Sequence, residues 1–122
     1  LREKTEGGSL SEEFRCAQLL EWHSRVKYWV RNIPKQPQTS FWLPTGKDYF
    51  YPDFVAELDD GSIFVLEYKG SHLDSADDAR VKDAIGRQWA KDSQGKRIFL
   101  MATKLDKNGR SLEDQINHAL AK

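Results

Sequence analysis

The chain of 122 residues has a single cysteine, no excess of either charge and no apolar run that approaches membrane-spanning length. The lone Cys16 excludes an internal disulfide and fits a reducing cytosol; on the apolar face of a helical segment it reads as a packed thiol. Nineteen basic residues against nineteen acidic ones argue against strong autonomous nucleic-acid binding, which leaves a basic excess. There is no signal-peptide pattern, and the expected compartment is the cytoplasm. His23, His72 and His118 are too scattered to form a metal-ligand pattern, and no Ser–His–Asp or Cys–His set suggests itself. A phosphate-binding loop of the GxxxxGK[ST] type is missing, so the chain is not itself an ATPase of that class. What remains is an ordinary globular composition, 31% charged with four tryptophans. Its length suits one domain, residues 1–122, with a real core. The chain opens on Leu1 without a Met and reads as a piece of a larger protein.

What is present centres on Tyr51-Pro52-Asp53-Phe54-Val55 and, fourteen residues after the aspartate, Glu67-Tyr68-Lys69. The stretches Tyr49–Leu58 and Ser62–Lys69 are rich in aromatic and branched apolar residues, which suits strands. Between them Asp59-Asp60-Gly61 is a turn signal, with Gly61 available for the left-handed position that closes a three-residue loop. That loop opposes Leu58 to Ser62 and Asp53 to Glu67. Side chains alternate along a strand, so Asp53, Glu67 and Lys69 share one face. A two-residue loop would instead oppose Asp53 to Tyr68 and split the trio.

Directly opposed β-carbons lie about 4.5–5.5 Å apart, close enough for two carboxylates to share an ion. Mg²⁺ takes oxygen ligands, keeps several waters and commonly uses one or two protein carboxylates plus substrate phosphate. A metal so held acidifies a coordinated water and neutralises charge on a phosphate. Lys69 would orient the water or stabilise the charged transition state. Phosphodiester hydrolysis is the leading reading of this trio. The duller reading is a solvated sheet face with a cross-strand Glu–Lys pair. Both carboxylates sit in apolar runs, Phe54-Val55-Ala56 and Ile63-Phe64-Val65-Leu66, and burying them asks for a metal or a cationic partner. Lys69 could itself be that partner, so both readings stand.

The rest of the chain reads as helix, several strands, helix, strand, helix. Ser9-Leu10-Ser11-Glu12 is a capping box opening a helix that ends near His23-Ser24, with Leu10, Phe14, Ala17, Leu19 and Leu20 as its apolar stripe. Val26, Tyr28 and Val30 alternate with Lys27, Trp29 and Arg31 as a strand. Pro34 and Pro37 mark a loop, and Ser40–Leu43 a short strand stopped by Pro44-Thr45-Gly46. Ser75 and Asp78 form a second capping box before a helix with Val81, Ala84, Ile85, Gln88 and Trp89 on one side. Arg97–Thr103 is a buried strand, and Ser111–Ala121 a closing helix with Leu112, Ile116, Ala119 and Leu120 inward. The basic clusters at Arg25, Lys27 and Arg31, at Arg80, Lys82, Arg87 and Lys91, and at Lys96 and Arg97 read mainly as solvated faces. The four tryptophans read as core, though an exposed ring could stack on a base.

Pro52-Asp53 followed by Glu67-x-Lys69, between an N-terminal helix and a later helix–strand unit, resembles the PD-(D/E)XK nuclease superfamily. Val26–Asn32, Tyr49–Phe54, Glu67–Gly70 and Asp78-x-x-x-Lys82 leading to Trp89 resemble, more closely, the C-terminal endonuclease domain of type III restriction enzymes. The resemblance covers most of residues 10–100. It implies a restriction-endonuclease-like α+β (α/β) fold, a central mixed β-sheet flanked by helices on both faces. It also implies a Mg²⁺-dependent endonuclease of duplex DNA, with Mn²⁺ as a substitute, in a bacterial or archaeal cytoplasm. Asp53 and Glu67 would ligate the metal with the Tyr68 backbone carbonyl, and Lys69 would be the catalytic lysine. The first helix would contribute an acidic residue; Glu13 matches best, with Glu12 adjacent and Glu21 further along. Lys82, with Arg80 and Arg87, would reach DNA phosphate, although an ordinary surface lysine explains Lys82 equally well. Tyr68 departs from the usual small or aliphatic residue, and its side chain should face away from the site. A helicase/ATPase motor region of the same parent chain and a modification (methyltransferase) subunit are the implied partners. Two alternatives remain: a repair or junction-resolving nuclease on the same fold, and an inactive module that binds DNA or protein.

Overall fold

The computed structural model describes residues 9–32, 43–44, 49–69 and 76–121. Its elements in chain order are α1 (Ser9–Trp22), β1 (Val26–Arg31), β2 (Leu43–Pro44), β3 (Tyr49–Phe50), β4 (Phe54–Leu58), β5 (Ile63–Tyr68), α2 (Ala76–Lys91), β6 (Arg97–Ala102) and α3 (Leu112–Leu120). The expected order of elements is observed. Pro34, Pro37, Phe41, Trp42, His72 and Ser75 lie outside the described residues. So do the side chains of both expected capping boxes, apart from Glu12.

The chain is a mixed α/β protein. Its main sheet runs β1-β4-β5-β6; β4 is antiparallel to β1 and β5, and β5 is parallel to β6. A parallel pair needs a long crossover, and α2 supplies it. Phe54, Ala56 and Leu58 of β4, Phe64, Leu66 and Tyr68 of β5, and Ala102 of β6 bury one sheet face against Cys16, Leu19 and Leu20 of α1 and Leu112, Ile116 and Leu120 of α3. Alternation along the strands sends Val55, Val65, Glu67, Phe99 and Met101 to the other face, where α2 packs on β6.

The hairpin has the register read from its residues: Phe54 faces Leu66, Ala56 faces Phe64 and Glu57 faces Ile63. Gly61 sits at φ +88°, a left-handed position that needs no β-carbon, and Ser62 N–H donates to Asp60 Oδ1 at 2.9 Å. Arg25 ties this turn to the last helix, donating to Asp59 Oδ1 at 3.2 Å, Asp60 Oδ2 at 2.9 Å and the Leu120 carbonyl at 2.6 Å.

Several expectations need correction: Trp22, read as core, is 69% exposed, and β6, read as a buried strand, is fully buried only at Ala102. The strand expected over Tyr49–Leu58 breaks at Pro52: Tyr49–Phe50 instead pairs with Leu43–Pro44 in a separate two-stranded sheet. Proline cannot donate to a ladder, and here its fully buried ring becomes the hinge between β3 and β4. In β1, Val26 pairs with Leu58 and Tyr28 with Glu57, leaving Lys27 as a bulge residue. The bulge switches faces, so Trp29 joins Val26 against the core while Tyr28 and Val30 are exposed. On α1, Phe14 is 64% exposed and Cys16 is fully buried in its stead. On α2, Val81 is 51% exposed, whereas Ala79 and Gly86 are buried. A β-carbon at Gly86 would lie 2.5 Å from the Phe99 ring, so the helix seats its small residues on β6 and turns the expected stripe aside.

Candidate functional site

The end of the hairpin beyond Phe54 and Leu66 brings two acids together as expected. Asp53 N–H donates to Glu67 Oε1 at 3.0 Å, and Tyr68 N–H donates to Asp53 Oδ2 at 2.8 Å. Each carboxylate therefore touches the backbone of the opposing strand end. The two carboxyl groups are thus held next to each other at the end of the hairpin. Burial, then the charge of Asp53, pushes Glu67 up to about 8. Burial likewise raises Asp53, against the Tyr68 N–H, the Arg31 charge, the bond from Glu67 and the Lys82 charge, which lower it. A close carboxylate pair cannot readily ionise twice, so it titrates as a unit.

The turn that presents Asp53 is clamped by a residue that sequence reasoning did not single out. Asn32, buried at the end of β1, donates from its backbone to the Asp53 carbonyl at 2.8 Å and from Nδ2 to the Pro52 carbonyl at 2.9 Å. Only the edge position of Asn32 after a six-residue strand hinted at this; the partner carbonyls lie twenty residues away.

Glu13 approaches from α1. Its carboxyl is raised by burial and by the charge of Asp53, and lowered by Arg31, with which it forms an ion pair. Glu12 is near enough to raise Tyr68, and Glu21 accepts from Trp29 Nε1 at 2.8 Å, away from the pair. Of the three helix glutamates, Glu13 is thus the one on which the charge of Asp53 acts. It does not complete a ligand set: among the described residues, no group of three or more His, Cys, Asp or Glu side chains is placed to hold a metal. Tyr68 turns its ring into the core beside Cys16 and α1, as expected, and burial pushes its hydroxyl up to about 12.

Lys69 holds the motif position directly after β5, and a second lysine, Lys82, comes from α2. Lys82 Nζ lies 3.9 Å from Glu67 Oε2 and 5.4 Å from the centroid of the Phe50 ring. Lys69 follows the pair on the same strand, but its side chain lines a cavity of about 300 Å³ with Ala79, Arg80, Asp83, Arg87, Met101 and Thr103. In that cavity Arg87 pairs with Asp83 at 2.8 Å. Arg80 and Arg87 therefore stand with Lys69, and Lys82 stands with the carboxylates.

Two adjacent carboxylates form a hard oxygen donor set, and a divalent cation between them offsets their mutual repulsion. The residues present fit Mg²⁺ or Mn²⁺, with Asp53 and Glu67 as side-chain ligands. Compared with protein-family models, curated proteins and solved structures, the chain matches none. No helix among the described residues is long and apolar enough to cross a membrane.

Proposed function

We propose that this chain is a metal-dependent phosphodiesterase domain, an endodeoxyribonuclease of PD-(D/E)XK type and the cleavage module of a type III-like restriction enzyme. The observation that carries this reading is the Asp53–Glu67 pair, buried, hydrogen-bonded across the hairpin end and accompanied by an amine. The order of parts adds support: an acid on the first helix near Asp53, a mixed sheet, and helices on both sheet faces.

Asp53 and Glu67 would hold Mg²⁺, with the Tyr68 carbonyl as a further oxygen. When bound, the cation acidifies a water and offsets charge on the phosphate. The protein's own contribution is positional. Asn32 and Tyr68 N–H fix the Asp53 carboxylate, and the hairpin register fixes Glu67 beside it. A lysine ammonium next to the pair stabilises the negative charge that grows on the phosphate oxygens as water adds and one P–O ester bond breaks. Because the chain's charges balance, delivery of duplex DNA falls to a motor region and a modification subunit outside this chain.

The test is nicking of supercoiled plasmid by this domain at high concentration with Mg²⁺ or Mn²⁺, beside Asp53→Asn and Glu67→Gln. Nicking by the wild type that both variants abolish is the expected result; nicking that survives in both sinks the site. One observation favours a second reading: Lys82 already gives the pair a cationic partner, as an inactive binding module on this fold would need. Wild-type protein that fails to bind Mg²⁺ in a calorimetric titration would favour that module.

A further inference from the structure

The proposed site contains an amine that the motif does not supply. We infer that Lys82 of α2 is the ammonium that works beside Asp53 and Glu67, and that Lys69 serves a separate groove binding backbone phosphate. This inference rests on the phosphodiesterase reading for its chemistry, though not for its placement.

Three observations separate the two lysines. Lys82 Nζ stands 3.9 Å from Glu67 Oε2, beyond direct hydrogen-bonding distance and close enough for an oxygen to be shared between them. Its charge acts on both carboxylates. Its ammonium lies over the Phe50 ring, 5.4 Å from the centroid, and Phe50 itself meets Phe99 edge-on with centroids 6.1 Å apart. Lys69, by contrast, forms no ion pair among the described residues; it lines the cavity shared with Arg80 and Arg87.

The seating of α2 explains the exchange. Gly86 rests on Phe99, and with successive residues about 100° apart this turns Lys82 to one flank of the helix and Arg80 and Arg87 to the other. Lys82 thereby faces Glu67 on β5. The other flank brings Arg80, Arg87 and Asp83 into one cavity with Lys69. Such a groove suits the oxyanions of a nucleic-acid backbone, and Arg fits phosphate bidentately. It opens at the end of the strand that carries Glu67, so one nucleic-acid strand could meet both.

The division of labour is tested by steady-state nicking with Mg²⁺ and by Mg²⁺ binding in solution. Lys82→Met should lower kcat by about a hundredfold or more, as loss of a charge-stabilising group does, with KM little changed. Lys82→Arg should restore part of kcat. Lys69→Met and the pair Arg80→Gln/Arg87→Gln should instead raise KM and reduce the salt dependence of duplex binding by about one phosphate contact for each cation removed. In the calorimetric arm, Lys82→Met should tighten Mg²⁺ roughly tenfold, because a like charge near the cation is gone, while Lys69→Met leaves it unchanged. The reverse pattern, with kcat lost in Lys69→Met and Mg²⁺ affinity insensitive to Lys82, overturns the inference. If wild type nicks nothing, the phosphodiesterase reading fails, and the Mg²⁺ titrations still decide which amine adjoins the carboxylates.

Discussion

Replacing Glu67 by Gln should make the metal-free protein more stable at alkaline pH while removing its response to Mg²⁺. The charged form of Glu67 is held back by burial and by Asp53, which raise its pKa from 4.5 to about 8. At about 1.4 kcal/mol per pH unit the ceiling on that cost is about 5 kcal/mol, and sharing with Asp53 makes about 2–5 kcal/mol the expected range. The folded pKa lies above the unfolded one, so between them the folded chain binds more protons than the unfolded chain. Stability from this group is therefore complete below about pH 4.5 and is lost as pH climbs to about 8. Asp53 and Glu13, both raised, act in the same sense. Asp106, lowered by its bonds to the Arg110 and Asn108 backbone, acts in the opposite sense: its contribution is present at neutral pH and lost on acidification. Urea unfolding in EDTA, at about pH 5 and about pH 8.5, reads the difference. Wild type should lose stability relative to Glu67→Gln between the two. Mg²⁺ should restore wild type mainly at the higher pH, since the cation competes with protonation of the pair. A wild-type-minus-variant difference that is the same at both pH values would refute the buried-proton account.

Two further expectations concern how the site is held. Gly86→Ala places a methyl against the Phe99 ring; overpacking of about 1–3 kcal/mol should outweigh the roughly 1 kcal/mol that Ala gains in helix propensity. Urea unfolding should therefore show a net loss, and a variant more stable than wild type would mean that α2 does not sit on Phe99. Asn32→Ala leaves the Pro52 carbonyl without its side-chain donor and should cost about 1–3 kcal/mol. It should also weaken Mg²⁺ binding, which calorimetry would detect; unchanged affinity would show that the Pro52 turn keeps its shape without the clamp.

The acidic half of the site was legible because it is local. Alternating apolar residues and a turn ending in Gly61 set the hairpin register, and the register alone places Asp53 by Glu67. The turning of Tyr68 into the core follows from the same alternation. The basic half was not legible, because Lys82 reaches Glu67 only through the rotation of α2. That rotation depends on Gly86 being small rather than on where the apolar residues of the helix fall, so a stripe drawn through Val81, Ala84 and Ile85 points the wrong way. The faces of β1 were hidden for a related reason: an extra residue at Lys27 inverts every later position, and a bulge has no signature in a strand of alternating character. Asn32 escaped notice because a polar residue at a strand end looks the same whether it meets water or a distant carbonyl.

The parallel pairing of β5 with β6 has a consequence for how the site comes into being. Asp53 meets Glu67 through a three-residue turn, a contact of short range along the chain with a small loop-closure cost. Lys82 takes its place only when the helical crossover closes and β6 docks beside β5 in register, a longer excursion that raises contact order. The repulsion between the acids belongs to the hairpin alone, whereas their burial and the nearby amine depend on the packing of the whole fold, so the full cost of charging them is a property of the tertiary structure.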